Sequence, residues 1–238
     1  CVKGISLMSA STNHRRSYLL SASVLTLSFG AMTPLSPGAL AQALPTGAEI
    51  VAGAATIGGT SNALTVKQST NKAIIEWNSF SIGKGNSVHF DNGKGATLNR
   101  VTGTQATSID GLLSGTGSVY LINKNGLVIG KDGVIDVGGK FVGSTQDISN
   151  QNFMAGGDML LSGDSEAAIV NYGKIGSLGG DVALVAAKVE NKGEIEAANG
   201  TVGLLAGYQV MLRDRALDEG QFAVVVGGDD PSVTNEGA

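Results

Sequence analysis

Cysteine is nearly absent from this chain of 238 residues, and aromatic and charged residues are scarce. The single cysteine is Cys1, which excludes a disulfide framework and a cysteine-based zinc site within one chain. Aromatic residues make up 5% and charged residues 15% of the chain. The net charge of -4 and the pI near 5.1 argue against a general nucleic-acid binder. Hydrophobic residues still reach 42%, so the chain is not a disordered polar segment.

Glycine is plentiful, with 36 residues, and it separates short apolar runs. Residues 118–143 contain the runs VYLI, LVIG, VIDV and KFVG, divided by turns that are rich in Asn, Asp and Gly. These residues tolerate the positive φ that sharp corners need. A helix of ordinary length needs ten or more uninterrupted residues, so this stretch predicts four short strands. The longest segment without a strand pattern is 144–153, where Ser149 and Asn150 could begin a short helix.

An internal repeat appears in the second half of the chain. The segments NYGKI and GDVAL, which begin at Asn171 and Gly180, recur 20 residues later as NKGEI and GTVGL, beginning at Asn191 and Gly200. A period near 20 with several strands per unit predicts a solenoid, and strands with corners alone predict a parallel β-helix. The run of leucines that a leucine-rich repeat needs is absent. We expect Asn171 and Asn191 to stack at equivalent corners. We expect these residues to point inward: Val182, Leu184, Ala186, Val202, Leu204 and Ala206.

The first 41 residues have the order of a secretory signal peptide. A basic group precedes the apolar run YLLSASVLTLSFGAM, and two overlapping A-x-A sites follow at Ala39, Ala41 and Ala43. We expect cleavage after Ala41 or Ala43, which leaves residues 42–238 as one domain outside the cytoplasm. A solenoid that ends in mid-repeat presents an open sheet edge, so we expect the natural chain to continue past Ala238.

Three blocks of sequence together resemble the amino-terminal secretion domain of two-partner secretion exoproteins, the filamentous-haemagglutinin-like proteins of Gram-negative bacteria. The first block runs from VKQ through KAIIEWNSFSIG (66–83), the second from LNRVTG through SIDG (98–111) and the third from VYLINKNGLVIG to FVGST (119–145). The family's Asn-Pro-Asn-Gly-Ile motif matches Asn123, Lys124, Asn125, Gly126 and Leu127, with Lys in place of Pro. Its Asn-Pro-Asn-Leu motif is absent, and Asn99, Arg100 and Val101 occupy the corresponding place.

The resemblance implies a right-handed parallel β-helix with extra-helical strands. It also implies a secreted or cell-surface exoprotein, an adhesin by our expectation, that leaves through the Sec machinery and then an outer-membrane TpsB-type β-barrel transporter with periplasmic binding modules. A host-cell or surface ligand would bind downstream regions. Haemolysins and contact-dependent toxins begin with the same domain, so those roles stay open. On this resemblance Asn99, Arg100, Val101, Asn123, Lys124, Asn125 and Gly126 form the candidate transporter-recognition motif.

Several of the motif residues, and the aromatic residues of the first block, also have a structural interpretation. Asn-Gly is above all a turn signal, so Asn123, Asn125 and Gly126 are expected first to make a corner. Arg100 could hold an acidic group or cover a coil face with its stem. Trp77 and Phe80 are expected in the core or a cap rather than at a ligand.

Signals for an enzyme or a cofactor are weak, and we predict neither a catalytic site, a metal site nor a cofactor. His89 is expected to be an ordinary strand residue in SVHF. The pairs Asp218-Glu219 and Asp229-Asp230 lack partners, although carboxylate pairs do occur in β-helix carbohydrate-active enzymes, which is the alternative function. The segments Gly179-Gly180-Asp181 and Gly227-Gly228-Asp229 are similar to calcium-binding glycine-rich repeats but lack the nonapeptide period.

Overall fold

The computed structural model describes residues 44–213, 222–227 and 230–238, which form 22 strands and one short helix. The signal-peptide prediction for residues 1–41 and the cleavage sites Ala39, Ala41 and Ala43 lie outside these residues. The elements in chain order are β1 Glu49–Ala52, β2 Ala55–Gly59, β3 Ala63–Gln68, β4 Lys72–Trp77, β5 Ser87–Asp91, β6 Ala96–Val101, β7 Thr107–Ile109, β8 Leu112–Gly115, β9 Ser118–Ile122, β10 Leu127–Ile129, β11 Val134–Val137, β12 Phe141–Ser144, α1 Asn150–Ala155, β13 Met159–Ser162, β14 Ala168–Asn171, β15 Lys174–Ser177, β16 Val182–Ala186, β17 Lys188–Asn191, β18 Glu194–Ala197, β19 Val202–Ala206, β20 Gln209–Leu212, β21 Phe222–Val226 and β22 Ser232–Asn235.

Three sheets make up the sides of a coil, and their strands are parallel except for β1 and β2. Sheet I has the order β1-β4-β6-β9-β12-β16-β19, sheet II has the order β2-β3-β5-β8-β11-β15-β18, and sheet III has the order β7-β10-β14-β17-β22. The chain visits sheet II, sheet I and sheet III in each turn, so β5, β6 and β7 make one turn and β8, β9 and β10 the next. About six such turns stack, and the expected right-handed parallel β-helix with extra-helical strands is confirmed.

The register reproduces the 20-residue repeat that the sequence shows. Val182 pairs with Val202 on sheet I and Asn171 pairs with Asn191 on sheet III. Equivalent residues of successive turns therefore lie beside each other, about 4.8 Å apart. The four strands expected in residues 118–143 are β9, β10, β11 and β12.

The coil encloses a continuous apolar core. Trp77 and Phe80 are each 1% exposed and meet edge to face, with ring centroids 5.4 Å apart, so both belong to the core as expected. Val182, Leu184 and Ala186 are fully buried in the same cluster. Val202 occupies the position equivalent to Val182, but it is 40% exposed because β19 is the last strand of sheet I.

Two antiparallel strands cover the first turn. Strand β1 pairs with β4 on sheet I, and β2 pairs with β3 on sheet II. Leu44 and Ile57 pack against the core from this side. Strands β1 and β2 occupy strand edges that would otherwise be open to pairing with another chain.

A second apolar cluster lies outside the coil, against the outer face of sheet I. Two excursions from the coil build it, namely residues 145–167 with α1 and β13, and the described residues between β19 and β22 with β20 and β21. Strands β13, β20 and β21 form the antiparallel sheet IV. Helix α1 begins as the sequence suggested, because the Ser149 side chain caps it by accepting a bond from the Asn152 amide. Phe153 of α1 packs edge to face on Tyr120, with ring centroids 5.2 Å apart.

Candidate functional site

The candidate recognition motif contains a tight corner between β9 and β10. The amide of Gly126 donates to the carbonyl oxygen of Asn123 at 3.0 Å, and the amide of Asn125 donates to the Asn123 side-chain oxygen at 3.0 Å. Gly126 has φ +106°, which a residue with a side chain rarely adopts. The expected corner at Asn123, Asn125 and Gly126 is therefore present.

Side-chain bonds fasten this corner to the preceding turn. Asn123 Nδ2 donates to the Gln105 carbonyl at 2.9 Å and to the Thr107 hydroxyl at 3.0 Å. Asn125 Nδ2 donates to the Gly103 carbonyl at 2.9 Å. These bonds hold successive corners in register at a turn whose second residue, Lys124, lacks the rigid ring of the proline in the motif that the sequence resembles.

Asn99 lies inside the coil, where most neighbours are apolar. Its side-chain oxygen accepts a bond from Trp77 Nε1 at 3.0 Å, and its Nδ2 donates to the Tyr120 carbonyl at 3.2 Å. The residue is 0% exposed. Asn99 therefore joins β4, β6 and β9 through a buried amide whose polar atoms are satisfied.

Arg100 points outward and anchors the first excursion to the coil. Its guanidinium donates to Glu76 at 3.2 Å, to Asp147 at 3.0 Å, to Asn150 Oδ1 at 2.8 Å and to the Ile148 carbonyl at 2.7 Å. The side chain is only 13% exposed. Of the two roles considered for Arg100, holding acidic groups is the observed one. The sequence did not reveal Asp147, Ile148 and Asn150 as partners, because they lie 47 to 50 residues away in the segment without a strand pattern.

The seven motif residues differ sharply in exposure. Asn99, Val101, Asn123 and Gly126 are buried, Arg100 and Asn125 are half-buried, and Lys124 alone among the seven is exposed. The backbone of Lys124 is also tied down, because its carbonyl accepts the Ser165 hydroxyl at 2.6 Å. The motif is thus part of the internal bonding of the coil, and the folded surface presents little of it.

The geometry around the candidate catalytic and calcium groups is that of sheet surfaces and turns. His89 is a residue of β5, as expected, and its Nδ1 lies 2.9 Å from the Ser114 hydroxyl of the neighbouring strand. The Asp181 carboxylate is bound by Lys140 at 3.2 Å and by the Thr201 amide at 3.0 Å. Asp230 pairs with Lys188 at 3.1 Å, while Asp218, Glu219, Gly228 and Asp229 lie outside the described residues.

Within residues 44–213, 222–227 and 230–238, no group of three His, Cys, Asp or Glu side chains is placed to hold a metal ion. The same ranges contain no helix with the length and hydropathy needed to cross a membrane.

Two comparisons with solved structures agree with this architecture. The secretion domain of HMW1 from Haemophilus influenzae superposes with a TM-score of 0.69 at 32% identity, over 80% of this chain and 52% of that one. The filamentous hemagglutinin secretion domain superposes with a TM-score of 0.57 at 14% identity, over 82% of this chain and 73% of that one, which supports the fold alone.

Comparisons of sequence also find related proteins. A protein named Heme/hemopexin-binding protein from Haemophilus influenzae strain Rd is 36% identical over 180 residues, which cover 71% of this chain and 20% of that protein. A second protein of that name from Haemophilus influenzae is 40% identical over 91 residues, or 37% of this chain and 10% of that one. The chain thus spans about a fifth of the length of the first relative.

The sequence profile described as TPS secretion domain matches residues 41–234, and the chain therefore belongs to the family of two-partner secretion domains.

Proposed function

We propose that residues 42–238 are the secretion-targeting domain of a longer exoprotein and the part on which its β-helix begins to fold. Residues 1–41 would direct the chain to the Sec machinery and be removed after Ala41 or Ala43. The domain would then engage the periplasmic modules of a partner TpsB-type transporter, cross the outer membrane and coil at the cell surface. Membership of the secretion-domain family supports this sequence of events.

The observation that carries the proposal furthest is the burial of the motif. Asn99 and Asn123 are each 0% exposed, and their side-chain amides are engaged inside the coil. A transporter can contact these amides only before the turns close over them. We infer that the partner binds the motif in the extended chain, and that closing the corner afterwards releases the chain from the partner.

The side-chain amides of Asn123 and Asn125 would then have two successive roles, first in recognition and then in folding. In the extended chain the amides of Asn123 and Asn125 are available to pair with a partner. In the coil they bond to Gln105, Thr107 and Gly103. Because each closed turn buries apolar side chains and offers a fresh strand edge to the next, coiling outside the membrane opposes backward movement without a nucleotide energy source.

The test is secretion from a Gram-negative host with the partner transporter present or absent. We expect a folded, protease-resistant domain in the medium only when the transporter is present. Periplasmic retention with every candidate transporter would overturn the proposal and would direct attention to glycan cleavage, the alternative function.

Variants separate recognition from corner formation. Asn123→Ala removes two side-chain bonds to the preceding turn and should lower both the stability of the purified domain and its secretion. Val119→Ala, which truncates a fully buried core residue of β9, is the matched control because it lowers stability without touching the motif. If the two variants are equally unstable and equally secreted, Asn123 makes only a corner. A larger secretion loss in Asn123→Ala supports recognition.

We further propose that the natural chain continues past Ala238 and that this downstream region carries the activity of the exoprotein. Our expectation from the sequence was an adhesin that binds a host-cell ligand. The two relatives named Heme/hemopexin-binding protein favour capture of haem or hemopexin instead. Binding of the full-length exoprotein to hemin-agarose and to immobilised hemopexin, compared with binding to epithelial cells, distinguishes the two roles.

A further inference from the structure

A cavity of about 270 Å³ lies on the outer face of sheet I, beside the end of α1 and sheet IV. Two adjacent rows of side chains from sheet I line it. Since residues two apart in a strand share a face, the rows run side by side across the strands. One row, called the polar row, contains lysine, alanine and serine side chains, and the other, called the apolar row, contains none with a charge.

The polar row starts at Lys72 and continues through Ala96 and Ser118, which are neighbours in the register of β4, β6 and β9. Lys140 follows, where its backbone amide bonds to the Ser118 hydroxyl at 3.0 Å. Three strand spacings of about 4.8 Å separate the strand positions of Lys72 and Lys140, so the row is about 14 Å long.

The apolar row contains Tyr120, Val142 and Ala183, which are paired in the register of β9, β12 and β16. The side chains become smaller along this row, and the decrease from Tyr to Ala leaves room above the sheet. Met159 of β13 and Leu212 of β20 line the opposite side. The cavity therefore has an apolar row along one side and two lysine amines in the row along the other.

Positive charge is concentrated around this cavity in a chain whose net charge is -4. Lys72, Lys94, Lys140 and Arg213 line it, whereas Asp181 contributes the one carboxylate among its described lining residues. Lys140 binds that carboxylate at 3.2 Å. Lys72 also holds the end of α1, donating to the Phe153 carbonyl at 2.7 Å. A site with cations beside an apolar wall selects an anion that carries an apolar body.

We propose that this cavity binds a single-chain anionic amphiphile of the fatty-acid class. The carboxylate lies at the amines of the polar row, and the acyl chain lies over Tyr120, Val142 and Ala183 beneath Met159 and Leu212. This binding site is separate from the recognition motif and does not depend on the proposed export role.

The test is calorimetric titration of the purified chain with sodium decanoate below its micellar concentration. We expect saturable binding at one site. Decanol has the same tail without charge, acetate has the charge without the tail, and decyltrimethylammonium carries the opposite charge. Decanol and decyltrimethylammonium should each bind at least about fivefold more weakly, since one weak ion pair corresponds to roughly that factor. Acetate should also bind at least about fivefold more weakly, because it has no apolar chain to bury. Equal binding of decanol or of the cationic amphiphile would overturn the proposal.

Variants locate the site. Lys94→Glu reverses a charge at the rim and Met159→Trp fills the cavity, and each should weaken decanoate binding at least about fivefold. Lys131→Glu is the matched control, because Lys131 is also an exposed turn lysine but lies away from this cavity. It should leave binding unchanged. Unfolding curves check that the variants are folded, and decanoate binding that neither rim nor wall variant alters would contradict the assignment.

Discussion

Asn171 donates its side-chain amide to the side-chain oxygen of Asn191, 2.8 Å away and one turn further along the coil. Asn191 donates in the same way to Asn235 at 2.8 Å, so three successive corners are joined. Each of the first two side-chain oxygens also accepts a backbone amide, from Gly173 and Gly193 respectively. The asparagine ladder that the repeat predicted is therefore present at the boundary between sheets III and II.

Removing the middle of this ladder should destabilise the coil. Asn191 is 2% exposed, and Asn191→Ala leaves the Asn171 amide and the Gly193 amide without their partner. We expect a loss of about 1–3 kcal/mol in the free energy of unfolding, measured by urea titration. Asn199→Ala is the control, since exposed Asn199 makes one side-chain bond at the surface, and it should cost less. Equal costs would contradict a structural role for the ladder.

The buried bond between Trp77 and Asn99 should show energetic coupling. Trp77→Phe leaves the Asn99 oxygen without its indole donor, and Asn99→Leu leaves the indole N–H unpaired. Each single change should cost about 1–3 kcal/mol. The double variant removes both polar groups, so its cost should be smaller than the sum by roughly 0.5–3 kcal/mol in a double-mutant cycle. Additive costs would show that the bond contributes little.

Arg100 should control the stability of the first excursion more than that of the coil. Arg100→Met removes the bonds to Asp147, Ile148 and Asn150, and we expect faster amide hydrogen exchange across residues 147–155. The Asp147 side chain is 54% exposed, which weakens its ion pair, so the loss in the free energy of unfolding should be about 1–2 kcal/mol, from the remaining bonds of Arg100. Arg100→Lys keeps the charge without the forked geometry and should give an intermediate exchange rate. Unchanged exchange in Arg100→Met would refute the anchoring role.

A surface pair predicts a small effect at alkaline pH. Lys174 donates to Glu194 of the next turn at 2.7 Å, and this hydrogen bond, followed by the charge of Glu194, raises the pKa of Lys174 above its ordinary 10.5. A raised lysine pKa stabilises the fold below 10.5, and this contribution is lost as the pH rises through the folded-state pKa. The difference in melting temperature between the wild type and Glu194→Gln should therefore narrow above about pH 10.5. Glu196→Gln, on the same strand, should show no such trend.

The coil itself could be predicted because its signals are local. The runs between Ser118 and Gly143 are short, and the turns between them contain residues suited to positive φ, so strand positions followed from neighbouring residues. The equivalence of Asn171 and Asn191 followed from a fixed spacing in the chain. Ser149 was identified as a helix start because capping depends on a bond to an amide only three residues ahead.

The excursions could not be predicted, since their partners are distant in sequence. Met159 pairs with Leu212, 53 positions later, and the register between them depends on packing against the outer face of sheet I. The cavity on sheet I was missed for the same reason, because only the stacking of turns brings Lys72 and Lys140 to the same face of that sheet. The placement of Asn99 inside the coil had no local signal, since a strand of alternating residues ordinarily puts an amide outside.

The repeat also fixes the ratio between the length of extended chain in one turn and the height that this turn adds to the coil. Twenty residues separate paired positions of successive turns, as between Asn171 and Asn191. When extended, that length of chain spans about 66–72 Å. One turn adds about 4.8 Å to the height of the coil. The extended chain that forms a turn is therefore roughly fourteen times longer than the height that the turn adds. In the proposed export, a coil that grows on the far side of the transporter would therefore draw a long stretch of extended polypeptide through it for each small increase in the height of the coil.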